Sequence, residues 1–438
     1  MPLALLRLPL RLVMTATLAG VSLHGLLAQA PPAPPPAPAP LPAPTPVAPA
    51  APKTSLKKLT LGECLAIAEV NHPALRMAES SLSQTVKGAE AIRNLPKIAE
   101  WIKPELPVRR MQAANGITAA EAAVAKAHQE IRYDVCRLYY TVVYARQQEF
   151  IVNEITEQLK LYKDFVDKFL AKPEPNSPLK ITAATAKQIN IFLAKANDKL
   201  EMARAGQAKA IAALKQAMGV DPATKDFEPK DTELPIMGGT VTEEQVIQHS
   251  MARRPELVQA AAATDAFRLE VCAQDKNRFG LQVQTLSNAT DLHANVVPAP
   301  VRNGEYRPGA TPPEMPPFLF GKRTERVSRA IDISRRQDAQ YDQVQSLVKL
   351  QAIYAYETWR ETNARMKNAR IGFDNGRELA DLIGKNTGSL QGIDSVQQFG
   401  AALIAQSEYL DAVYEHVKAL INLELVTAGA VKANFPGR

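Results

Sequence analysis

The stretch "LTLGECLAIAEVNHPAL", from Leu59 to Leu75, decides how this chain is organised, because it predicts two helices joined by a corner. Thr60 and Glu63 have the spacing of a capping box, in which each side chain accepts a hydrogen bond from the other residue's backbone N–H. Pro73 cannot continue that helix, but proline suits the first position of a new one. The stretch therefore predicts a short capped helix followed at once by a second helix.

The same phrase occurs again as "VTEEQVIQHSMARRPEL", from Val241 to Leu257. A shift of 182 residues aligns Thr60 with Thr242 and Pro73 with Pro255, and no gap is needed between them. Self-similarity at a fixed spacing marks a chain built from repeated structural units. We therefore expect two tandem units, each opened by this phrase.

A long helical hairpin is predicted after each phrase. In the first unit, apolar residues recur at alternating steps of three and four along a predicted helix from 117 to 171, which is the spacing of a coiled-coil seam. The proline-rich stretch "KPEPNSP" stops this helix. A return helix is predicted from 179 to 218, closed by Gly219.

The second unit repeats this design. It has a predicted helix from 325 to 373 and a return helix that includes Val396. The tip between them is placed at Asn375-Gly376 and Gly388, because these residues favour turns. The fold class predicted is mainly α, with two tandem repeats of long antiparallel coiled-coil helical hairpins.

The N-terminus has the pattern of a secretory signal peptide: Arg7 and Arg11, an apolar run, and the cleavage site Ala28-Gln29-Ala30. A membrane anchor is the alternative, but the run is shorter than the ~18 residues that a helical span needs. The predicted organisation is a signal peptide at 1–30, a semi-rigid Pro/Ala-rich linker at 31–53, a first repeat at 54–240, a second repeat at 241–430 and a C-terminal tail at 431–438.

The charge of the chain argues against nucleic acid as a partner. The formal net charge is +7, and it becomes +5 when Arg7 and Arg11 are removed with the signal peptide. This mild excess is spread over many predicted helices and forms no basic stripe. The dibasic pairs Arg109-Arg110 and Arg253-Arg254 are interpreted as solvated helix ends.

The sequence contains no pattern that predicts catalysis, a metal site or a cofactor. The histidines are scattered, without HExxH spacing, and there is no Gly-rich phosphate loop and no G-x-S-x-G elbow. Cys64, Cys136 and Cys272 are odd in number and lack CxxC spacing. We interpret them as small buried apolar residues, with a disulfide as the alternative.

Two tandem units of this design resemble the TolC-like outer-membrane efflux proteins. The resemblance rests on the two repeated phrases, the two hairpins and the late stretch "GSLQGIDSVQQFGAALIAQSEYLDAVYEHVKALINLELVTAG". It covers nearly all of the chain from Leu59 to Gly429, and it depends on the order and spacing of the elements more than on any one motif.

The resemblance implies a homotrimer in which three chains, with two hairpins each, form a helical tunnel (an α-barrel). It further implies a β-barrel of four strands per chain in the outer membrane. The implied function is the outer-membrane and periplasmic channel component of a tripartite efflux or type I secretion system. Such a passive duct works with a periplasmic adaptor (membrane fusion) protein and an inner-membrane pump, and it is not an enzyme.

One segment departs from the pattern of that family. Where the first unit's strands are expected, residues 94–116 read "NLPKIAEWIKPELPVRRMQAANG", with three prolines and no apolar alternation. The second unit has one alternating stretch, from Phe279 to Thr285, and "FLFGKR" as a short returning strand. We therefore expect a reduced β portion, and a non-conducting periplasmic coiled-coil scaffold derived from the same fold is the alternative function. An adaptor protein fits less well, because adaptors carry a single hairpin.

Acidic residues near the second tip are the candidate functional residues. In the family such residues ring the periplasmic aperture, and Asp394 in "GSLQGIDSV" matches that place, with Asp374 and Asp381 on the other side of the tip. A ring of carboxylates would favour cations. The alternative for Asp394 is that it caps the return helix.

Overall fold

The computed structural model describes residues 57–171, 182–224, 227–236, 240–277, 319, 321–385 and 392–438. The side chains of residues 380, 383–385, 392–400 and 403 are outside this description. The predicted signal peptide at 1–30, the linker at 31–53 and the candidate strand from Phe279 to Thr285 also lie outside the described residues.

Helices make up most of the described chain, and they repeat in the two units. The first unit consists of α1 (Leu61–Asn71), α2 (Pro73–Arg93), α3 (Ile98–Ile102), α4 (Leu106–Ala171) and α5 (Ala183–Ala217). The second unit consists of α6 (Glu243–Arg253), α7 (Pro255–Lys276), α8 (Arg323–Lys385) and α9 (Gly392–Val426). Two short parallel strands, β1 (Lys57–Leu59) and β2 (Phe227–Pro229), pair with each other in the first unit. The predicted class, mainly α with two tandem hairpins, is confirmed.

The repeated phrase folds identically in both units. Helices α1 and α6 each contain 11 residues and begin with a complete capping box. The backbone N–H of Thr60 donates to the Glu63 carboxylate at 2.8 Å, and that of Thr242 donates to the Gln245 side chain at 3.1 Å. A proline occupies the first turn of both α2 and α7.

The corner between α1 and α2 receives the end of α5. Gly219 follows α5 with a φ of +69°, and a Cβ at this residue would lie 2.6 Å from the carbonyl oxygen of Asn71, the last residue of α1. Only glycine combines this conformation with so close an approach. The break after α1 therefore lets the first unit close on itself.

Long helices form the hairpins. Helix α4 has 66 residues, which corresponds to about 100 Å at 1.5 Å per residue. It packs along α5, and α8 packs along α9. Predicted seam residues such as Val135 and Val142 in α4 and Val417 in α9 are fully buried, as a coiled-coil seam requires.

The predicted tip of the second hairpin at Asn375-Gly376 is wrong, because α8 continues to Lys385. Gly376 lies inside this helix and against α9, where an added Cβ would be 3.3 Å from the Cα of Ala402. The glycine therefore permits close packing of two helices and makes no turn. Gly388 lies outside the described residues.

The segment expected to lack membrane strands is helical. Its residues form α3 and the first turns of α4, so α4 begins at Leu106 and not at the predicted residue 117. Pro107 is the second residue of α4, and proline is tolerated there because the first backbone N–H groups of a helix have no intrahelical partner. The described part of this segment contains no strand.

Helices α2 and α7, which are counterparts in the two units, have different surroundings. Helix α7 lies between α4 and α8, whereas α2 packs against α4. Ala262 and Ala266 of α7 are buried against Ala119 of α4. Their counterparts in α2 under the same 182-residue shift are Ser80 and Gln84, and both are exposed.

A buried polar network joins α4, α7 and α8 near the end of α7. The guanidinium of Arg109 forms an ion pair with Glu270, whose carboxylate also accepts from Gln112 at 2.8 Å. Arg326, at the start of α8, donates to the carbonyl oxygen of Asn277 at 2.7 Å. Because Arg109 and Arg254 are buried, the interpretation of both dibasic pairs as solvated helix ends is wrong for these two residues.

The cysteines are free thiols in the structure, and two of the three are buried. Cys64 and Cys136 belong to the main hydrophobic core, and burial raises the pKa of each thiol to about 12. Cys272 is exposed. The interpretation as buried apolar residues is therefore confirmed for the first two and wrong for the third.

Candidate functional site

The candidate site lies toward the far end of the second hairpin, where α8 and α9 are joined by aromatic and charged contacts. Phe373 of α8 stacks on Tyr409 of α9 with ring centroids 5.1 Å apart. The guanidinium carbon of Arg370 lies 5.5 Å from the centre of the same tyrosine ring. This geometry combines a stacked aromatic pair with a cation–π contact.

Asp374 belongs to this cluster. The Nε atom of Arg370 is 3.2 Å from both carboxylate oxygens of Asp374, and Nη1 of Arg370 donates to the Tyr409 hydroxyl at 3.2 Å. The hydrogen bonds to Tyr409 and Asp374 raise the pKa of Arg370. The charge of Asp374 is therefore largely balanced by its neighbour one turn earlier.

Asp381 lies on the same face of α8 as Asp374, because seven residues are close to two full turns. Its side chain is exposed. Arg377, also exposed, stands between the two acids along the helix. This face of α8 therefore carries both signs of charge.

Asp394 is the third residue of α9, and its side chain is outside the description. The structure therefore places Asp374 and Asp381 together on α8 and gives only the backbone position of Asp394. Sequence reasoning missed Arg370 and Tyr409. The spacing of Arg370 and Asp374, four residues apart, could have indicated their ion pair, but the contact with Tyr409 depends on the packing of α9.

A second feature is a half-open groove of about 510 Å³ between α4, α5 and α9. It is lined mainly by apolar side chains, including Ile155, Phe192, Met202, Ile404 and Leu410. The two hairpins meet at one end of it, where the Tyr144 hydroxyl donates to Asp411 at 2.6 Å. The groove has the size and apolar character of a docking site for another molecule.

Neither a membrane-spanning helix nor a metal-binding group of side chains occurs among the described residues. Among the described helices, none combines the length and the apolarity needed to cross a bilayer. Within the same residues, no group of three or more His, Cys, Asp or Glu side chains is placed to hold a metal ion.

Comparison with solved structures identifies the fold. No family model and no curated protein sequence matches the chain. The outer-membrane channel OprN is 14% identical with a TM-score of 0.66, over 84% of this chain and 90% of its own. The outer membrane protein VceC from Vibrio cholerae is 14% identical with a TM-score of 0.63, over 85% and 97%. The open-state MtrE outer membrane channel of Neisseria gonorrhoeae is 14% identical with a TM-score of 0.60, over 85% and 89%. The chain therefore has the fold of the TolC-like outer-membrane channels.

Proposed function

We propose that this chain is the outer-membrane and periplasmic channel component of an export system of the tripartite efflux or type I secretion kind. It is a passive duct without catalytic chemistry. The observation that carries the proposal is the uncovered face of α2, which corresponds to the face of α7 that packs on α4.

Helices α2 and α7 are counterparts in the two units, so we expect their corresponding faces to meet corresponding partners. In the second unit, Ala262 and Ala266 of α7 pack on α4 of the first unit. The matching residues of α2, Ser80 and Gln84, point away from the chain's own helices. A neighbouring copy can cover them with its own α8, because α8 is the second unit's counterpart of α4. The array of hairpins then continues from copy to copy and closes into a ring.

A ring of this kind would enclose a tunnel. Closed cyclic symmetry is the usual outcome of such head-to-tail contacts, and the resemblance to the TolC-like proteins points to three copies with six hairpins. Helix α4 alone is about 100 Å long, which would let the tunnel extend far beyond a bilayer. The fold shared with OprN, VceC and MtrE, whose structures are described as outer membrane proteins or channels, supports the same conclusion.

The partners follow from this function. We propose that a periplasmic adaptor docks on the hairpins, for which the apolar groove between α4, α5 and α9 offers a surface, and that an inner-membrane pump supplies the energy. Exposed apolar residues such as Leu161 and Ile191 lie on the same hairpin. Asp381, with Asp374 and Asp394, is proposed to line the periplasmic aperture and to favour cations.

The proposal is tested with the full chain expressed in a Gram-negative host. We expect it to resist carbonate extraction from the outer-membrane fraction, to have the native mass of a trimer and to give cation-selective current steps in planar bilayers. Asp381→Asn should lower the cation selectivity more than Asp374→Asn, because Arg370 already balances Asp374. Release as soluble protein without conductance would favour the periplasmic scaffold.

A further inference from the structure

An apolar surface surrounds the short helix α3, and the channel function proposed above does not account for it. Trp101 is 84% exposed, Ile98 68%, Ile102 52% and Leu95 40%. Ile98, Trp101 and Ile102 are separated by three and four residues, so they lie on one side of α3, and Leu95 lies just before that helix. We call residues 95–103 the α3 knuckle.

The knuckle is flanked by cations. Arg93, Lys97 and Lys103 form no ion pair with any other described residue, whereas Glu100, the acid within α3, is paired with Arg110 of α4. The three cations outnumber the acids Glu90 and Glu105 of the same stretch, which also form no ion pair with a described residue, so the edges of the apolar surface carry a net positive charge. Anionic groups are the partners that such an arrangement attracts.

The knuckle is held firmly on α4. Besides its ion pair with Glu100, Arg110 donates to the carbonyl oxygen of Leu95 at 3.2 Å and to that of Ile92 at 3.4 Å. Pro96 and Pro104 bracket α3 and restrict its backbone. Arg110 of α4 therefore contacts both the knuckle and the end of α2 that precedes it.

The position of the knuckle is the end of the bundle where α2 and α7 finish and α4 and α8 begin. Arg109, next to Arg110, is paired with Glu270 near the end of α7, and Arg326 at the start of α8 contacts Asn277 just after α7. The resemblance to the TolC-like proteins puts the first unit's membrane strands in this segment. The knuckle is the element found there.

We propose that the α3 knuckle inserts into the interface of a phospholipid bilayer with anionic phosphate headgroups and anchors this end of the first unit. Tryptophan prefers the boundary between headgroups and acyl chains. Isoleucine and leucine side chains gain by leaving water, and lysines bind headgroup phosphates. An apolar protein surface would satisfy the apolar side chains as well, but it would leave the surrounding cations without anionic partners.

The inference rests on the proposed outer-membrane location, and Trp101 offers a direct probe of it. The chain has two tryptophans, and the other one, Trp359, is only 6% exposed. In a Trp359→Phe background, phosphatidylglycerol vesicles should shift the Trp101 emission to shorter wavelength, and lipids brominated near the headgroup should quench it. An emission that stays at the water-exposed wavelength overturns the proposal.

Substitutions test which residues bind. Ile98→Ser together with Trp101→Ser should weaken vesicle binding of the full chain about tenfold, given the apolar area removed from the membrane. The matched control is Phe150→Ser on α4 with Ile371→Ser on α8, whose side chains are 69% and 61% exposed, and it should leave vesicle binding unchanged. Lys97→Gln with Lys103→Gln should weaken binding to phosphatidylglycerol by about fivefold per lysine and leave phosphatidylcholine unaffected.

The outcomes separate this inference from the proposed function. Vesicle binding through Trp101 without conductance would contradict the channel and leave the anchor standing. Conductance with Trp101 still in water would contradict the anchor alone. If the Ile98/Trp101 double variant changes the native mass and not vesicle binding, the knuckle is covered by another copy of the chain and the membrane proposal is wrong.

Discussion

Helix α7 of the second unit lies between two long helices, whereas its counterpart in the first unit, α2, packs against one. Helix α7 contacts both α4 and α8, whereas α2 packs against α4. Each of the two helices follows a short helix that begins with a capping box, and each has a proline in its first turn. Two helices with the same local sequence pattern therefore differ in what covers them, and in the proposed ring a neighbouring copy would cover the exposed face of α2.

The largest expected effect concerns that face. Ser80→Trp should abolish the assembly, because the corresponding residue Ala262 is only 7% exposed and a bulky side chain there cannot be accommodated in close packing. Ser83→Trp is the matched control, because its counterpart Asp265 has a side chain that is 59% exposed. Light scattering of both purified variants gives the native mass. Equal masses would show that α2 meets no neighbour in the way that α7 meets α4.

A second prediction concerns the buried link between α4 and α7, which has no equivalent on α2, where Gly88 takes the place of Glu270. Glu270→Ala should lower the free energy of unfolding by about 3–5 kcal/mol, because it leaves the buried Arg109 without its partner. Asp338→Ala breaks the exposed ion pair with Arg268, in which the Asp338 side chain is 43% exposed and the Arg268 side chain 59%. This change should lower the free energy of unfolding by only about 0–1 kcal/mol. Denaturant unfolding measures both, and a similar loss for the two variants would contradict the burial argument.

A third prediction compares two glycines of α8. Gly376→Leu should destabilise the protein by about 1–3 kcal/mol, because the added side chain meets α9. Gly372→Leu, one turn earlier, should be neutral or stabilising by less than about 1 kcal/mol, because leucine favours a helix more than glycine does and a Cβ there meets nothing within 4 Å. Thermal unfolding ranks the two variants. The reverse order would mean that α8 and α9 do not pack closely at Gly376.

The smallest effect distinguishes the two capping boxes. The backbone hydrogen bond from Thr60 is the largest cause that lowers the pKa of Glu63 below its ordinary value of 4.5. A lowered folded-state pKa means that this stabilisation is present above the unfolded-state value and is lost as the pH falls through the folded-state value. Hydrogen exchange of the Thr60 amide, corrected for its intrinsic rate, should therefore accelerate below about pH 4.5.

The second box supplies the control for this pH effect. Gln245 takes the place of Glu63 and does not titrate. The neighbouring Glu244 does titrate, and hydrogen bonds to its own backbone and to the Thr242 side chain lower its pKa. In a Glu244→Gln background, the Thr242 amide should therefore keep its protection over the same range. Glu63→Gln should remove the pH dependence at Thr60. A Thr60 amide whose corrected exchange stays constant with pH would exclude the carboxylate as its acceptor.

The features that sequence analysis predicted correctly are local ones. The capping boxes, the proline restarts and the closing Gly219 each depend on residues within a few positions of one another. The hairpins follow from apolar spacing along single helices. These signals were enough for the fold class and the repeat.

Two of the errors come from contacts between distant parts of the chain. Gly376 was predicted to form a turn, but in the structure it lies against Ala402 of another helix. Arg109 was predicted to belong to a solvated helix end, but it pairs with Glu270, which is 161 residues away. At the candidate site, the sequence placed Asp374 beside the tip, whereas the structure places it inside α8, and its contact through Arg370 with Tyr409 needs the packed hairpin. No residue near these positions signals which helix will lie opposite.

The central claim, that a neighbouring copy covers α2 with its α8, can be measured directly by photo-crosslinking. A benzophenone amino acid is placed at position 80 in one variant and at position 262 in another, and the crosslinked peptides are identified by mass spectrometry. Position 262 should crosslink to α4 of the same chain. Position 80 should crosslink to α8 of a second chain, and crosslinks only within its own chain, or none at all, would contradict the account.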